Sequence, residues 1–261
     1  MLAALLPLVG YFIVKHYSST AVVLPRHYLP DSVMTKTKNG KLISDTQWHK
    51  VPDFTLTNQL GQKVSLSGMQ TADSIGKIIV ADFFFTHCPT ICPTLTSNMK
   101  RLEASITNSE RVGNQLPDFV RFLSFSIDPE RDSVERLKHW ADRFQINPEL
   151  WWLLTGDKKT IYDLSIDHLK LAAMDGEGVD SNFIHTDLFV LIDRNRIVRG
   201  YYHGLDTVAL SRLSRDIILL TLEKDPKDKS FFAGKLQFMI IAMLIVMAGV
   251  GIFLYFFRKM K

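Results

Sequence analysis

The chain has 261 residues, 46% of them hydrophobic and 22% charged, enough to fill one substantial core with further segments at its ends. Its net charge of +4 is accounted for by four cations beside apolar terminal runs, Lys15, Arg258, Lys259 and Lys261. The remainder is charge-balanced and has no basic patch to drive counterion release, so a nucleic-acid partner is not expected.

The first apolar run, "MLAALLPLVGYFIV", is uncharged. It is short for a bilayer span and lacks the basic start of a signal peptide, so residues 1–15 read as a hydrophobic anchor or as a signal with small residues at Ser18 to Ala21. Residues 16–50 contain several prolines, a "KNG" turn signal and little periodicity, which predicts a linker and docking arm. "DFTLTNQLGQKVSL" alternates apolar and polar residues around Asn58 to Gly61 and reads as a β-hairpin.

Strands and helices then interleave. "KIIVADFFF" reads as a buried strand and "CPTLTSNMKRLEASI" as a helix with Pro93 in its first turn. "FVRFLSFSI" is the next strand, and Asp128 is placed to cap the helix of "PERDSVERLKHWADRF", whose Val134, Leu137, Trp140, Ala141 and Phe144 follow helical spacing. "WWLLTG" and "TIYDLSIDHL" predict a strand and a helix, "TDLFVLIDRNRIVRGYY" a hairpin turning at Arg194 and Asn195, and "LDTVALSRLSRDIILLTLE" a closing helix. This order predicts an α/β domain over residues 51–223, a mixed sheet with helices on both faces.

Residues 236–257, "LQFMIIAMLIVMAGVGIFLYFF", form an uncharged apolar run. As a helix it would extend roughly 33 Å, the thickness of a bilayer core, and reads as a transmembrane segment. The basic residues after it favour a cytoplasmic C-terminus, with the central domain facing the periplasm or an equivalent outer space. Lys15 and His16 argue mildly against that orientation.

The only cysteines, Cys88 and Cys92, lie in "FFFTHCPTICPTL", between a strand and a helix start. An outer compartment permits a disulfide. As a structural staple, a loop this short would contribute only about 2 kcal/mol in the chain-entropy model. The helix start should favour thiolate through its dipole and unpaired N–H groups. Two thiolates also select Cu(I) or zinc over hard cations, and a third ligand would be needed. His16, His27, His49 and His139 read as surface residues, His203 follows a strand near a turn, and His87 points away from a site that Cys88 enters. His168 ends a helix, His185 opens a strand, and Met174 reads as a solvated loop residue.

Taken in order, "DFFFTHCPTICP", "SFSIDPERDSVERLKHWADRF", "WWLLTG" and "HTDLFVLIDRNRIVRGYY" resemble the SCO/SenC family of copper-binding, thioredoxin-like proteins of cytochrome oxidase assembly, over roughly residues 50–222. The resemblance implies a thioredoxin-like fold and a copper site formed by Cys88, Cys92 and His185, with Asp128 as a supporting group beside it. It implies transfer of copper to the copper-bearing subunit of cytochrome c oxidase, or reduction of that subunit's copper-binding cysteines by the Cys88/Cys92 pair. A C-terminal membrane segment departs from the family's usual single anchor.

Overall fold

The computed structural model describes residues 23–38, 41–69, 76–109, 117–171, 186–223, 249 and 258–259. By its internal contacts the chain divides into Met1–Leu222 and Glu223–Lys261. The two apolar terminal runs lie outside the described residues, apart from Gly249. Among the described residues no helix is long and apolar enough to cross a membrane.

The main unit is built on a seven-stranded mixed sheet. Its strands are β3 (Thr55–Asn58), β4 (Lys63–Ser65), β5 (Ile78–Phe84), β6 (Val120–Ser126), β7 (Trp151–Thr155), β8 (Leu188–Ile192) and β9 (Val198–His203), in the spatial order β4-β3-β7-β6-β5-β8-β9. The pairs β5/β6 and β6/β7 are parallel; β3 joins β7, and β8 joins β5, antiparallel. Every residue of β5 and β8 is buried. A strand covered on both faces is mostly apolar, which is why these two read as nearly continuous runs rather than as alternating patterns, with Asp82 the exception in β5.

The helices are α1 (Cys92–Ser109), α2 (Val134–Arg143), α3 (Lys158–Asp163) and α4 (Thr207–Thr221), with a π-helical turn at Leu164–His168 directly after α3. They cover both sheet faces. On one face Ile79, Ala81, Leu123 and Phe125 meet Phe54 and, from the π-helical turn and its end, Leu164 and Leu169. On the other, Phe84 packs against Trp140 of α2 at 5.8 Å between ring centres. Gly204, at the turn from β9 into α4, abuts α1: a Cβ there would come within 2.6 Å of Leu95, and Asn98 Nδ2 donates to the Gly204 carbonyl at 2.8 Å. The fold is the thioredoxin-like mixed sheet expected from the sequence.

Two local expectations change. The helix after β6 begins at Val134, and Ser133, not Asp128, caps it by accepting from the Arg136 N–H. The Asp128 carbonyl instead accepts the N–H groups of Arg131 and Asp132, closing a turn that postpones the helix. The arm expected to be irregular contains β1 (Pro30–Lys38) and β2 (Lys41–Trp48), an antiparallel ribbon outside the main sheet. Among its described side chains there is no core face to impose apolar alternation, and Val33, Met34 and Leu42 are exposed; the period-2 signal was therefore missing. The arm's root joins the domain through Tyr28 N–H to the Val198 carbonyl and Val51 N–H to the Arg196 carbonyl. Arg199 reinforces it by donating to the Pro25 carbonyl while paired at 3.0 Å with buried Asp193.

A buried polar ladder crosses the sheet under α1. Trp151 Nε1 donates to Ser124 Oγ at 2.9 Å, and Ser124 Oγ–H donates to Asp82. Burial, against the pull of the Ser124 hydrogen bond, pushes the Asp82 carboxyl up to about 7. The native state therefore keeps a proton that the unfolded chain loses near pH 4, so stability declines as pH rises from about 4 to about 7 and stays at the lower level above. Asp82→Asn, which keeps the carbonyl acceptor for Ser124, should remove this decline. It should be more stable than the parent at pH 8 by on the order of 2–4 kcal/mol in denaturant titrations; parallel pH profiles for the two proteins would contradict the assignment.

Candidate dithiol metal site

The site is built where β5 runs out into α1. After Phe84 the chain turns at Thr86 and His87, and the Cys88 N–H donates back to the Phe85 carbonyl at 3.2 Å. The turn is held from below by Asp132, which is fully buried. Its carboxylate accepts the Thr86 N–H at 3.1 Å, the Thr86 hydroxyl at 2.5 Å and the Ser126 hydroxyl at 2.6 Å. Three donors converging on one carboxylate compensate its burial.

Cys92 opens α1, and Pro93 follows where a missing N–H costs no helical bond. Thr96 Oγ1 donates to the Cys92 carbonyl at 2.9 Å and accepts from Trp140 Nε1 at 3.2 Å, so α2 fixes the first turn of α1. Both cysteines are buried, 4% and 2% exposed, and neither is in a disulfide. Their side chains are hydrogen-bonded to each other, with the Phe85 N–H directed at Cys92. Cys88 Sγ also lies 3.5 Å from Thr90 Oγ1.

The expectation that the helix start favours thiolate fails at Cys92. Burial is the largest influence and, with the neighbouring Cys88 and the carboxyl of Asp82, pushes its thiol up to about 12 against the lowering effect of the Phe85 N–H. Cys92 is thus held as a thiol unless a positive charge enters beside it. A soft cation bound by both sulfurs is the kind of charge that would offset burial, and the donor pair fits such an ion.

Of the predicted site residues, the structure brings Cys88 and Cys92 together. His185 and Met174 lie outside the described residues. Asp128 faces His87, with Oδ2 3.4 Å from His87 Nε2 and 3.7 Å from Arg131 Nε. Arg131 Nη1 is itself 3.2 Å from His87 Nε2, and the His87 ring packs edge-on to Phe85 at 4.8 Å. Among the described residues no group of three or more His, Cys, Asp or Glu side chains is placed to hold a metal ion. Asp132 and Asp82 were not singled out from the sequence. Asp82 did carry a signal, a lone carboxylate inside "KIIVADFFF"; Asp132 had none that separated it from Asp128 four residues earlier.

A thioredoxin-like sheet with a buried, reduced cysteine pair at a strand-to-helix junction defines a class of dithiol proteins suited to redox exchange or soft-metal binding. Residues 44–215 match the SCO1/SenC family model. The chain is 31% identical over 179 residues to the SCO1 protein homolog of Bacillus subtilis, covering 68% of this chain and 86% of that protein. It shares its fold with BsSco, described with a disulfide switch as a member of the Sco family of cytochrome c oxidase assembly proteins; the identity is 28% and the TM-score 0.54, over 69% of this chain and 98% of that one. Yeast Sco1, solved with copper bound, has the same fold at 17% identity and a TM-score of 0.51, over 70% and 99% of the two chains. The chain belongs to the SCO1/SenC family.

Replacing Asp132 by Ala strands the buried Ser126 hydroxyl and two donors of half-buried Thr86. We expect a loss of about 3 kcal/mol in denaturant titration and faster alkylation of Cys88 by iodoacetamide as the Thr86 turn loosens. Unchanged stability together with an unchanged alkylation rate would show that Asp132 does not hold the loop.

Proposed function

We propose that this protein is a membrane-tethered copper chaperone that carries copper on Cys88, Cys92 and His185 and delivers it to the copper centre of cytochrome c oxidase. The observation that carries the reading is the contact between two buried, reduced cysteines at the junction of β5 and α1. Two thiols with an imidazole suit Cu(I) in three-coordinate geometry, whereas tetrahedral zinc would need a fourth protein ligand. The metal found in yeast Sco1 is the one this donor chemistry selects. His185 is the ligand that yields first to the recipient, while the sulfurs hold the ion until exchange is complete. Asp128 supports the site indirectly by orienting His87, the neighbour of Cys88.

The terminal apolar runs, residues 1–15 and 236–257, are the tethers in this reading, with the domain in the periplasm or an equivalent outer space. Family membership supports the oxidase as recipient; the copper-bearing subunit is the partner proposed.

The same pair supports a second reading, reduction of the recipient's cysteines. Cys88 thiolate would attack the recipient's disulfide, and Cys92 would then displace it. The recipient leaves as a dithiol and a Cys88–Cys92 disulfide remains. The raised thiol of Cys92 favours Cys88 as the attacker.

A competitive Cu(I) titration of the reduced full chain separates these readings. The chaperone reading predicts tight binding of a single copper per chain, abolished by Cys88→Ser. His185→Ala should weaken it by more than about tenfold, the cost that even an outer partner of a metal ligand carries. If reduced protein holds no copper tightly, and Cys92→Ser instead traps a mixed disulfide through Cys88, the reductase reading stands and His185 is an ordinary structural residue.

A further inference from the structure

Away from the cysteines, three side chains from three segments form a continuous hydrogen-bonded chain. Asp31 lies on β1, His49 follows β2, and His168 closes the π-helical turn. Asp31 Oδ1 is 2.9 Å from His49 Nδ1, and His49 Nε2 is 3.1 Å from His168 Nδ1. The two imidazole planes are 9° apart and their centres 5.3 Å apart. With the facing nitrogens at 3.1 Å, that is close to the largest separation two imidazoles can have. The nitrogens therefore face each other along the line joining the rings, edge to edge. This is the geometry of an N–H···N hydrogen bond, whereas two chelating lone pairs would converge on a third point.

Proton accounting then follows from the partners. The Asp31 carboxylate only accepts, so His49 carries its proton on Nδ1 and presents a lone pair at Nε2. His168 must donate from Nδ1, leaving its own Nε2 bare. A first added proton enters at His168 Nε2 and leaves the N–H···N bond intact, now charge-assisted. A second must enter at His49 Nε2, the accepting atom, and sets N–H against N–H between two like charges. The pair can thus take up two protons, and only the second breaks the bond between its rings.

We propose that the Asp31–His49–His168 chain is a proton-operated latch, holding the root of the β1–β2 ribbon against the π-helical turn until a second proton enters and releases it. The ribbon forms its own sheet, and its root stays joined to the domain by the Tyr28 and Val51 N–H groups on the Val198 and Arg196 carbonyls, so the side-chain latch against the π-helical turn can open without unpairing the main sheet. The charged groups around the pair are Asp31 from β1, Asp163 from α3, and Asp167 and Lys170 beside His168. Burial, then the neighbouring His49, lower the His168 pKa, with Lys170 adding to this and Asp167 and Asp163 opposing it. The lowered His168 means that the first proton costs native stability as pH falls below the ordinary histidine range, with the bond between the rings still made; release waits for the second proton. None of this depends on the copper reading.

The test is carried out on the metal-free full chain in detergent, from about pH 8 to about pH 4.5, across the histidine range. Nitrogen-15 imidazole spectra should show His49 as the Nδ1–H tautomer and the pair titrating in two steps. Hydrogen-exchange protection at the His49 amide, which donates to the Leu29 carbonyl, and at residues 164–168, corrected for intrinsic rates, should fall about tenfold per pH unit below the second step. In His168→Asn the amide stands where Nδ1 stands, can donate or accept, and does not titrate. This variant should stay protected throughout, and His168→Ala should be unprotected at every pH. Protection in the parent that ignores pH, or His168→Asn losing protection as the parent does, would overturn the proposal. So would stoichiometric Zn2+ binding near pH 8 that shifts both imidazoles, which would make the pair a metal site.

Discussion

The site depends on where a buried central strand is made to stop. β5 is covered on both faces and hydrogen-bonded to β6 and β8, so it has no freedom to shift. The carboxylate of Asp132 takes over at its end, gathering Thr86 from the strand's exit and Ser126 from the end of the neighbouring strand. Within six residues of that clamp the chain must place Cys88, turn, and start α1 at Cys92. The clamp thus sets the spacing of the two sulfurs before any ligand arrives.

Two opposed physical demands meet at Cys92. Its place at a helix start favours negative charge, while its burial and the carboxyl of Asp82 disfavour it, and burial prevails. The outcome suits a carrier. A cysteine held as a buried thiol resists adventitious oxidation, yet a soft cation entering beside it supplies the charge needed to deprotonate it.

The central strands, the helices after β5 and β7, and the final hairpin with its helix were legible because their apolar patterns reflect faces that are truly buried. The β1–β2 ribbon was not, because strands without a core face carry no alternation. The true start of α2 was hidden by a choice between Asp128 and Ser133 that only the turn closed by the Asp128 carbonyl decides. Cys88 and Cys92 were conspicuous as the only cysteines, whereas Asp132 matters through burial and three convergent donors, properties of the fold rather than of residue type. His185 rests on the resemblance and on the need for a third ligand that no described group supplies.

The central claim is that two sulfurs and one distant imidazole share a copper ion. X-ray absorption at the copper edge of the Cu(I)-loaded full chain reads that ligand shell directly. The account predicts two sulfur neighbours and one nitrogen, with the nitrogen lost or replaced in His185→Ala while the sulfurs remain. A shell lacking sulfur, or one that His185→Ala leaves unaltered, would contradict it.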